Sequence, residues 1–275
     1  MDLSELAPLH PTLDRDRGLL ILDLDHGKAN EIGSEQLAAF DALCALVESN
    51  DEVRTICTTS RRVSKRGTPI FIAGANVTER VDWDDARVKT HVRRQRALMR
   101  RIRRLPAFHI AVSHGVTLGW GTEYLLTADY VLATGAASFA LPETGLGIIP
   151  GARGSAELAR RVGPARALLM GCTGEPLNAA TAREAGLVQE VVEDLEAGHA
   201  RAAALADRVF TRSPTAVAAF KQALLDGQGV PEAERLEHEA VAYERCVDTG
   251  EAAIGRSAFA QIRAGERPKW GPRRA

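Results

Sequence analysis

Two glutamates are each the only acid in a long neutral stretch. Glu123 lies in HGVTLGWGTEYLLTADY (114–130), where no further acid comes until Asp129. Glu143 lies in SFALPETGLGIIPG (138–151), between Pro142 and an apolar, glycine-rich turn. A carboxyl group held away from water has a raised pKa and suits proton transfer near neutral pH. Two such groups divide acid and base roles when their surroundings differ and they meet. The sequence does not show that these two meet. Each also has a plainer reading: Glu123 as a first-turn glutamate favoured by the helix dipole, Glu143 as a solvent-facing turn residue.

The surroundings of both acids offer a second kind of chemistry. A Gly-Trp-Gly turn running into a helix presents backbone N–H groups without intrahelical partners, which suit an anion or a developing oxyanion. In IFIAGAN (70–76) a strand ends in the small residues Ala73, Gly74 and Ala75, so a ligand can approach the backbone closely. Taken alone, this second stretch reads equally well as an ordinary turn.

The elements that must position these residues follow from periodicity. GLLILDLD (18–25), VRTICTTS (53–60), the start of IFIAGANV (70–77) and AFHIAVSHG (107–115) read as strands. GSEQLAAFDALCALVESN (33–50) has apolar residues at helical spacing, with Ser34 as N-cap. Residues 86–105 form an amphipathic helix with Val88, Val92, Leu98, Met99, Ile102 and Leu105 on one face. Arg93, Arg94, Arg96, Arg100, Arg101, Arg103 and Arg104 cover most of the other. YVLATG and SFALPE read as short strands, and the chain is mostly helical from about residue 154. No linker rich in proline and serine separates the two parts. The expectation is therefore one core over 1–200 and a helical C-terminal region over 201–275, ending in a loosely ordered basic tail.

Composition narrows the function. The chain has 275 residues, 45% of them hydrophobic and 26% charged, which is enough to bury a sizeable core. A net charge of −1 favours neither nucleic acid nor a membrane surface, and no apolar run is long enough to span a bilayer. Cys44, Cys57, Cys172 and Cys246 are widely spaced, with no C-x-x-C or Cys/His cluster, which argues against a metal site and a disulfide framework. The start, MDLSELAPLHPTLDRDRG, reads as neither a secretory signal nor a transit peptide. The expectation is a soluble cytoplasmic protein.

Five segments in chain order resemble the enoyl-CoA hydratase/isomerase (crotonase) superfamily over roughly residues 18–260. HGKANEIG resembles the stretch that lines the coenzyme A site, and FIAGANVTE the F-x-A-G-A-D segment. HGVTLGWGTEYLLTADYVLAT resembles N-G-x-A-x-G-G-G-x-E-L-x-x-x-C-D. SFALPETGLGIIPGARG resembles F-x-x-P-E-x-x-L-G-x-x-P-G-x-G-G, and LLMGCTGEPLNAATAREAGLVQEVV the family's closing helical stretch. The resemblance implies an α/β crotonase-like (ClpP/crotonase) fold: a spiral of ββα units with an α-helical C-terminal region. It also implies trimers or dimers of trimers that share those helices between subunits.

Position by position, the resemblance implies that the N–H groups of Ala75 and Trp120 form an oxyanion hole for the thioester carbonyl of an acyl-CoA. Glu123 and Glu143 fall on the two hydratase acids, and Gly151 where an N–H positions water. Lys28, Ala29, Ala73, Lys221 and Lys269 are the candidates for holding coenzyme A, which acts as substrate carrier; no metal and no other cofactor is implied. The activity expected is a lyase reaction, hydration of an α,β-unsaturated enoyl-CoA or the reverse. Isomerisation or ring hydrolysis of a CoA thioester is the alternative.

Three positions depart from the family. Trp120 stands where glycine is usual, and a positive φ there would strain the turn; its indole either shapes the acyl pocket or packs into the core. Asn76 replaces an aspartate, and Arg153 replaces a glycine, to pair with a carboxylate of the substrate or of a neighbour. The arginine-rich helix raises the question of RNA. Its lack of interleaved aromatics and the near-zero net charge argue against it.

Overall fold

β-branched and apolar runs in this chain are short and separated by helices, a pattern that builds parallel sheets. The computed structural model describes residues 1–274, so Ala275, the last residue of the expected C-terminal region, lies outside the described residues. The strands are β1 (Pro11–Asp14), β2 (Leu19–Asp23), β3 (Thr55–Thr59), β4 (Ile70–Ile72), β5 (Phe108–Ser113), β6 (Val116–Leu118), β7 (Tyr130–Thr134), β8 (Ser138–Ala140), β9 (Leu177–Asn178) and β10 (Glu190–Val192). The core helices are α1 (Ser34–Ser49), α2 (Asp85–Arg103), α3 (Trp120–Leu125), α4 (Gly154–Val162), α5 (Pro164–Thr173) and α6 (Ala179–Glu184). The C-terminal helices are α7 (Leu195–Phe210), α8 (Pro214–Asp226), α9 (Glu232–Asp248), α10 (Glu251–Ser257) and α11 (Phe259–Arg263).

From β3 to β8, consecutive strands go to different sheets. A six-stranded sheet has the order β1-β2-β3-β5-β7-β10, and a four-stranded sheet the order β4-β6-β8-β9. Each pass of the chain lays one strand in each sheet and returns through a helix, as in β3-β4-α2 and β5-β6-α3. This is the spiral of ββα units that the resemblance implied. All neighbours are parallel except β1 with β2 and β8 with β9.

The larger sheet is covered on both faces. Ile56, Ala111, Val131 and Ala133 point to the main core with α1 and α2, whereas Cys57, Ile110, Val112 and Leu132 point to a second layer with α7. This period of two explains why the central strand TICTT is buried at every position. The boundary expected at residue 200 falls inside α7, whose Ala202 and Ala206 pack on that sheet. Helix α7 therefore belongs with the core.

Helix boundaries follow local capping. Asp84 caps α2 by accepting from the Arg87 N–H at 2.7 Å. At α1 the N-cap is Gly33, not Ser34; Ser34 is the first helical residue, and its N–H and hydroxyl both donate to Glu79. On α2, Leu98, Met99 and Ile102 are buried. Most of the opposite-face arginines bind within the chain: Arg94 pairs with Asp41, Arg101 with Glu48 and Arg104 with Asp226. Arg96 donates to the Gly151 carbonyl and Arg103 to that of Leu126. Arg93 and Arg100 have no hydrogen-bond or ion-pair partner among the described residues.

Candidate active site

Helix α3 follows β6 directly, so its first turn sits at the seam between the two sheets. The Glu123 N–H donates to the Gly119 carbonyl at 2.9 Å to start the helix. The Thr122 hydroxyl donates to the carbonyls of Thr117 and Ala140, which ties that turn to β6 and to the end of β8. On the far side, the Tyr124 hydroxyl hydrogen-bonds Thr58 at 2.7 Å and lies 3.3 Å from His109. Burial pushes the His109 imidazole down to about 3, which keeps this inner network neutral.

Glu123 is 4% exposed. Its Oε1 accepts from the N–H groups of Ala152 at 2.8 Å and Gly154 at 2.7 Å. Burial raises its pKa to about 7; the two N–H donors pull it down and the charge of Glu143 adds to the rise. Glu143 opens a single 3-10 turn, Glu143–Leu146, after Pro142. Burial pushes its carboxyl up as well, and its Oε2 is buried without a hydrogen-bond partner among the described residues. Both carboxyl groups line one cavity of about 690 Å³, together with Ala73, Ala75, Trp120 and Gly151.

The backbone at Ala75 is oriented by its pairing. Ile32 donates to the Gly74 carbonyl and accepts from the Asn76 N–H, each at 2.9 Å, as in a parallel bridge. That pattern points the Ala75 N–H to the opposite side, where Ala75 lines the cavity. Trp120 is the first residue of α3, so its N–H has no intrahelical acceptor. Ala75, Trp120 and two carboxyl groups with raised pKa values thus line one cavity.

A sequence profile described as Enoyl-CoA hydratase/isomerase matches residues 16–271. The chain belongs to the enoyl-CoA hydratase/isomerase family. It is 38% identical over 198 residues to enoyl-CoA hydratase domain-containing protein 2, mitochondrial, of Mus musculus, covering 71% of this chain and 67% of that one. It is 31% identical to the probable enoyl-CoA hydratase 2, mitochondrial, of Arabidopsis thaliana, covering 94% of this chain and 84% of the relative. Among solved structures, the enoyl-CoA hydratase from Bacillus anthracis superposes with a TM-score of 0.84 at 29% identity, over 94% of this chain and 98% of that one.

Against the pattern of the enoyl-CoA hydratase/isomerase family, one expectation needs correction, the placement of Lys221. Lys221 does not reach the cavity of Glu123 within the chain. Its ammonium is bound to Asp129 at 2.6 Å and to the Ala107 carbonyl at 2.9 Å, in a separate cavity of about 730 Å³. Lys28 and Lys269 are exposed and line neither cavity, while the Ala29 carbonyl accepts from the Ala73 N–H at 3.1 Å. Trp120 has no positive φ; the preceding Gly119 carries it instead, at φ 50°. Arg153 does need the left-handed region, at φ 89°, and its guanidinium pairs with Glu157.

Trp120 both lines the cavity and packs inward. Its ring stacks on Tyr124 at 5.3 Å and lies 5.7 Å from Phe40, leaving 2% of the residue exposed. Its Nε1 is buried without an acceptor among the described residues. Trp120→Phe therefore gives up contact area but no hydrogen bond, and is expected to cost about 1 kcal/mol. A chemical-denaturation midpoint checks this; a loss near that of a buried aromatic cut to alanine, about 4 kcal/mol, would show that the indole N–H matters.

Ala152 and Gly154 are not legible in the sequence as the donors to Glu123, because that contact joins residues 29 and 31 positions apart. Arg96 was also missed as a site residue. It lines the cavity and holds the Gly151 carbonyl at 3.1 Å. The signal available was its helical spacing from Val92, four residues earlier, which lines the cavity too.

Proposed function

We propose that the chain hydrates an α,β-unsaturated acyl-CoA thioester, or catalyses the reverse dehydration. The observation that carries this is the presence of Glu123 and Glu143, both with raised pKa values, in one cavity with Ala75 and Trp120, whose N–H groups have no acceptor among the described residues. Attack of water on the β-carbon drives negative charge onto the thioester oxygen. The two N–H groups stabilise it there, each contributing about 3 kcal/mol. One glutamate takes a proton from water and the other delivers one to the α-carbon, so no charge is left over. Gly151 positions the water. A carboxyl poised near pH 7 suits either role.

In this reading Lys28, Ala29, Ala73 and Lys269 lie along the coenzyme A carrier, and the reaction needs no other cofactor. We place the protein in the cytoplasm, where its four free cysteines remain reduced. We also propose a homotrimer or a dimer of trimers built through the C-terminal helices. On α9, Leu236, Tyr243 and Val247 share one face, are 56%, 71% and 44% exposed, and belong to a helix with no buried residue.

A panel of CoA esters followed by mass spectrometry tests the proposal. The expected result is a gain of one water on an enoyl thioester by the wild type, lost in both Glu123→Gln and Glu143→Gln. Turnover without gain of water would reassign the reaction to isomerisation or ring hydrolysis.

A further inference from the structure

We propose that the Arg153–Glu157 ion pair is a positioning tether: it holds residue 153 in a left-handed backbone conformation, so that the N–H groups on either side of it converge on one oxygen of Glu123. The proposal rests on the acid–base role of Glu123 given above.

Among the described residues, Arg153 is one of three other than glycine with positive φ, at φ 89° and ψ 0°. Glycine adopts that region without penalty, whereas an arginine is held there only by its surroundings. The flanking N–H groups, of Ala152 and Gly154, are those that meet at Glu123 Oε1. A change of φ and ψ at residue 153 swings one relative to the other, so both bonds depend on this one conformation. Glu123 Oε2 has no protein donor among the described residues and is left to the cavity.

The side chain supplies the restraint. The Arg153 guanidinium donates to Glu157, one turn into α4, and Glu157 is 7% exposed. Glu157 also lies 4.0 Å from Arg103 of α2, and Arg103 donates to the Leu126 carbonyl at the end of α3. The circuit therefore closes on the helix that carries Glu123. Glu157 is the only acid among the described residues lining a cavity that it shares with five arginines, Arg100, Arg103, Arg104, Arg153 and Arg160, and with Leu225 and Gln228. Where the family uses glycine, this chain uses an arginine held from outside the site.

The protonation of Glu123 is read by the infrared carbonyl band of its acid form, assigned by its absence in Glu123→Gln. Its titration midpoint is followed in Glu157→Ala, Arg153→Ala and the double variant Glu157→Ala/Arg153→Gly, beside the pH profile of kcat/KM. Losing the two N–H donors raises the midpoint, by about one pH unit or more in either single variant. The double variant restores it, because glycine adopts the left-handed conformation unaided. The other charged groups around the cavity, Glu143, Arg96, Arg93, Lys89, Arg80 and Glu31, are unchanged throughout.

A pure field effect has the opposite sign in Glu157→Ala, since freeing a guanidinium near Glu123 lowers its midpoint. A midpoint that falls or stays, or one that the double variant fails to restore, overturns the tether. If Glu157→Ala does not fold, Arg153→Ala against Arg153→Gly decides the matter alone. If the midpoints move as expected while wild-type protein turns over no enoyl thioester, the tether stands and the hydratase reading fails.

Discussion

Glu123→Gln is expected to lower kcat for hydration by about a thousandfold, the range for loss of one positioned acid–base group. Glutamine keeps the shape and can still accept from the Ala152 and Gly154 N–H groups, so KM for the CoA ester should hardly move. The same variant tests the electrostatics independently. The wild-type carboxyl has a pKa of about 7 in the fold against an ordinary 4.5. A raised pKa means the neutral form is preferred in the folded state. Stability from this group is then fully present below about pH 4.5 and lost as pH rises through 7. Glutamine cannot ionise, so Glu123→Gln should be more stable than wild type at pH 8 by on the order of 3 kcal/mol. At pH 4 that advantage should vanish. Denaturant midpoints at the two pH values measure it, and an equal difference at both would refute the raised pKa.

Gly119→Ala is the other substitution with a large expected effect. Gly119 has φ 50° and ψ −117°, a region in which a Cβ is strained. A Cβ there would also lie 2.6 Å from Glu143 Oε1. Backbone strain and steric conflict together should cost about 3 kcal/mol of stability. Displacing the Glu143 carboxyl by about 1 Å should lower kcat by about a hundredfold. Gly135→Ala is the stability control, since its Cβ would meet nothing within 4 Å and its φ is not positive. If Gly119→Ala matched the control in denaturation midpoint, the crowding of Glu143 against the start of α3 would be wrong.

Six of the ten strands among the described residues, and the long helix, were legible because each rests on a local pattern; β1, β6, β9 and β10 are short and show none. TICTT and FHIAVS carry their burial in their residue types. The amphipathic helix over 86–105 appeared as Asp85–Arg103. The two acids were visible as isolated charges in apolar sequence, and their placement on a helix start and a turn was right. What could not be read was anything that depends on one pass of the chain meeting the next. The donors to Glu123, the Asp129 partner of Lys221 and the Glu79 contacts of Ser34 join segments from 29 to 92 residues apart. The backbone of Trp120 stayed open for a different reason. The left-handed residue of its turn is Gly119, one position earlier, and periodicity does not assign φ within a Gly-Trp-Gly triplet.

The alternation of strands between two sheets also sets an order of assembly during synthesis. As the chain leaves the ribosome, α3 and Glu123 emerge well before Ala152 and Gly154, the groups that hold the carboxylate. The six-stranded sheet gains its last strand only at residues 190–192. Until then β7 is an open edge, ready to pair with another strand. A nascent chain stalled near residue 150 would therefore carry both glutamates yet lack the donors that anchor Glu123, along with an unprotected edge. Binding competence should appear late and abruptly in translation, and truncated products should be cleared by quality control rather than retain partial function.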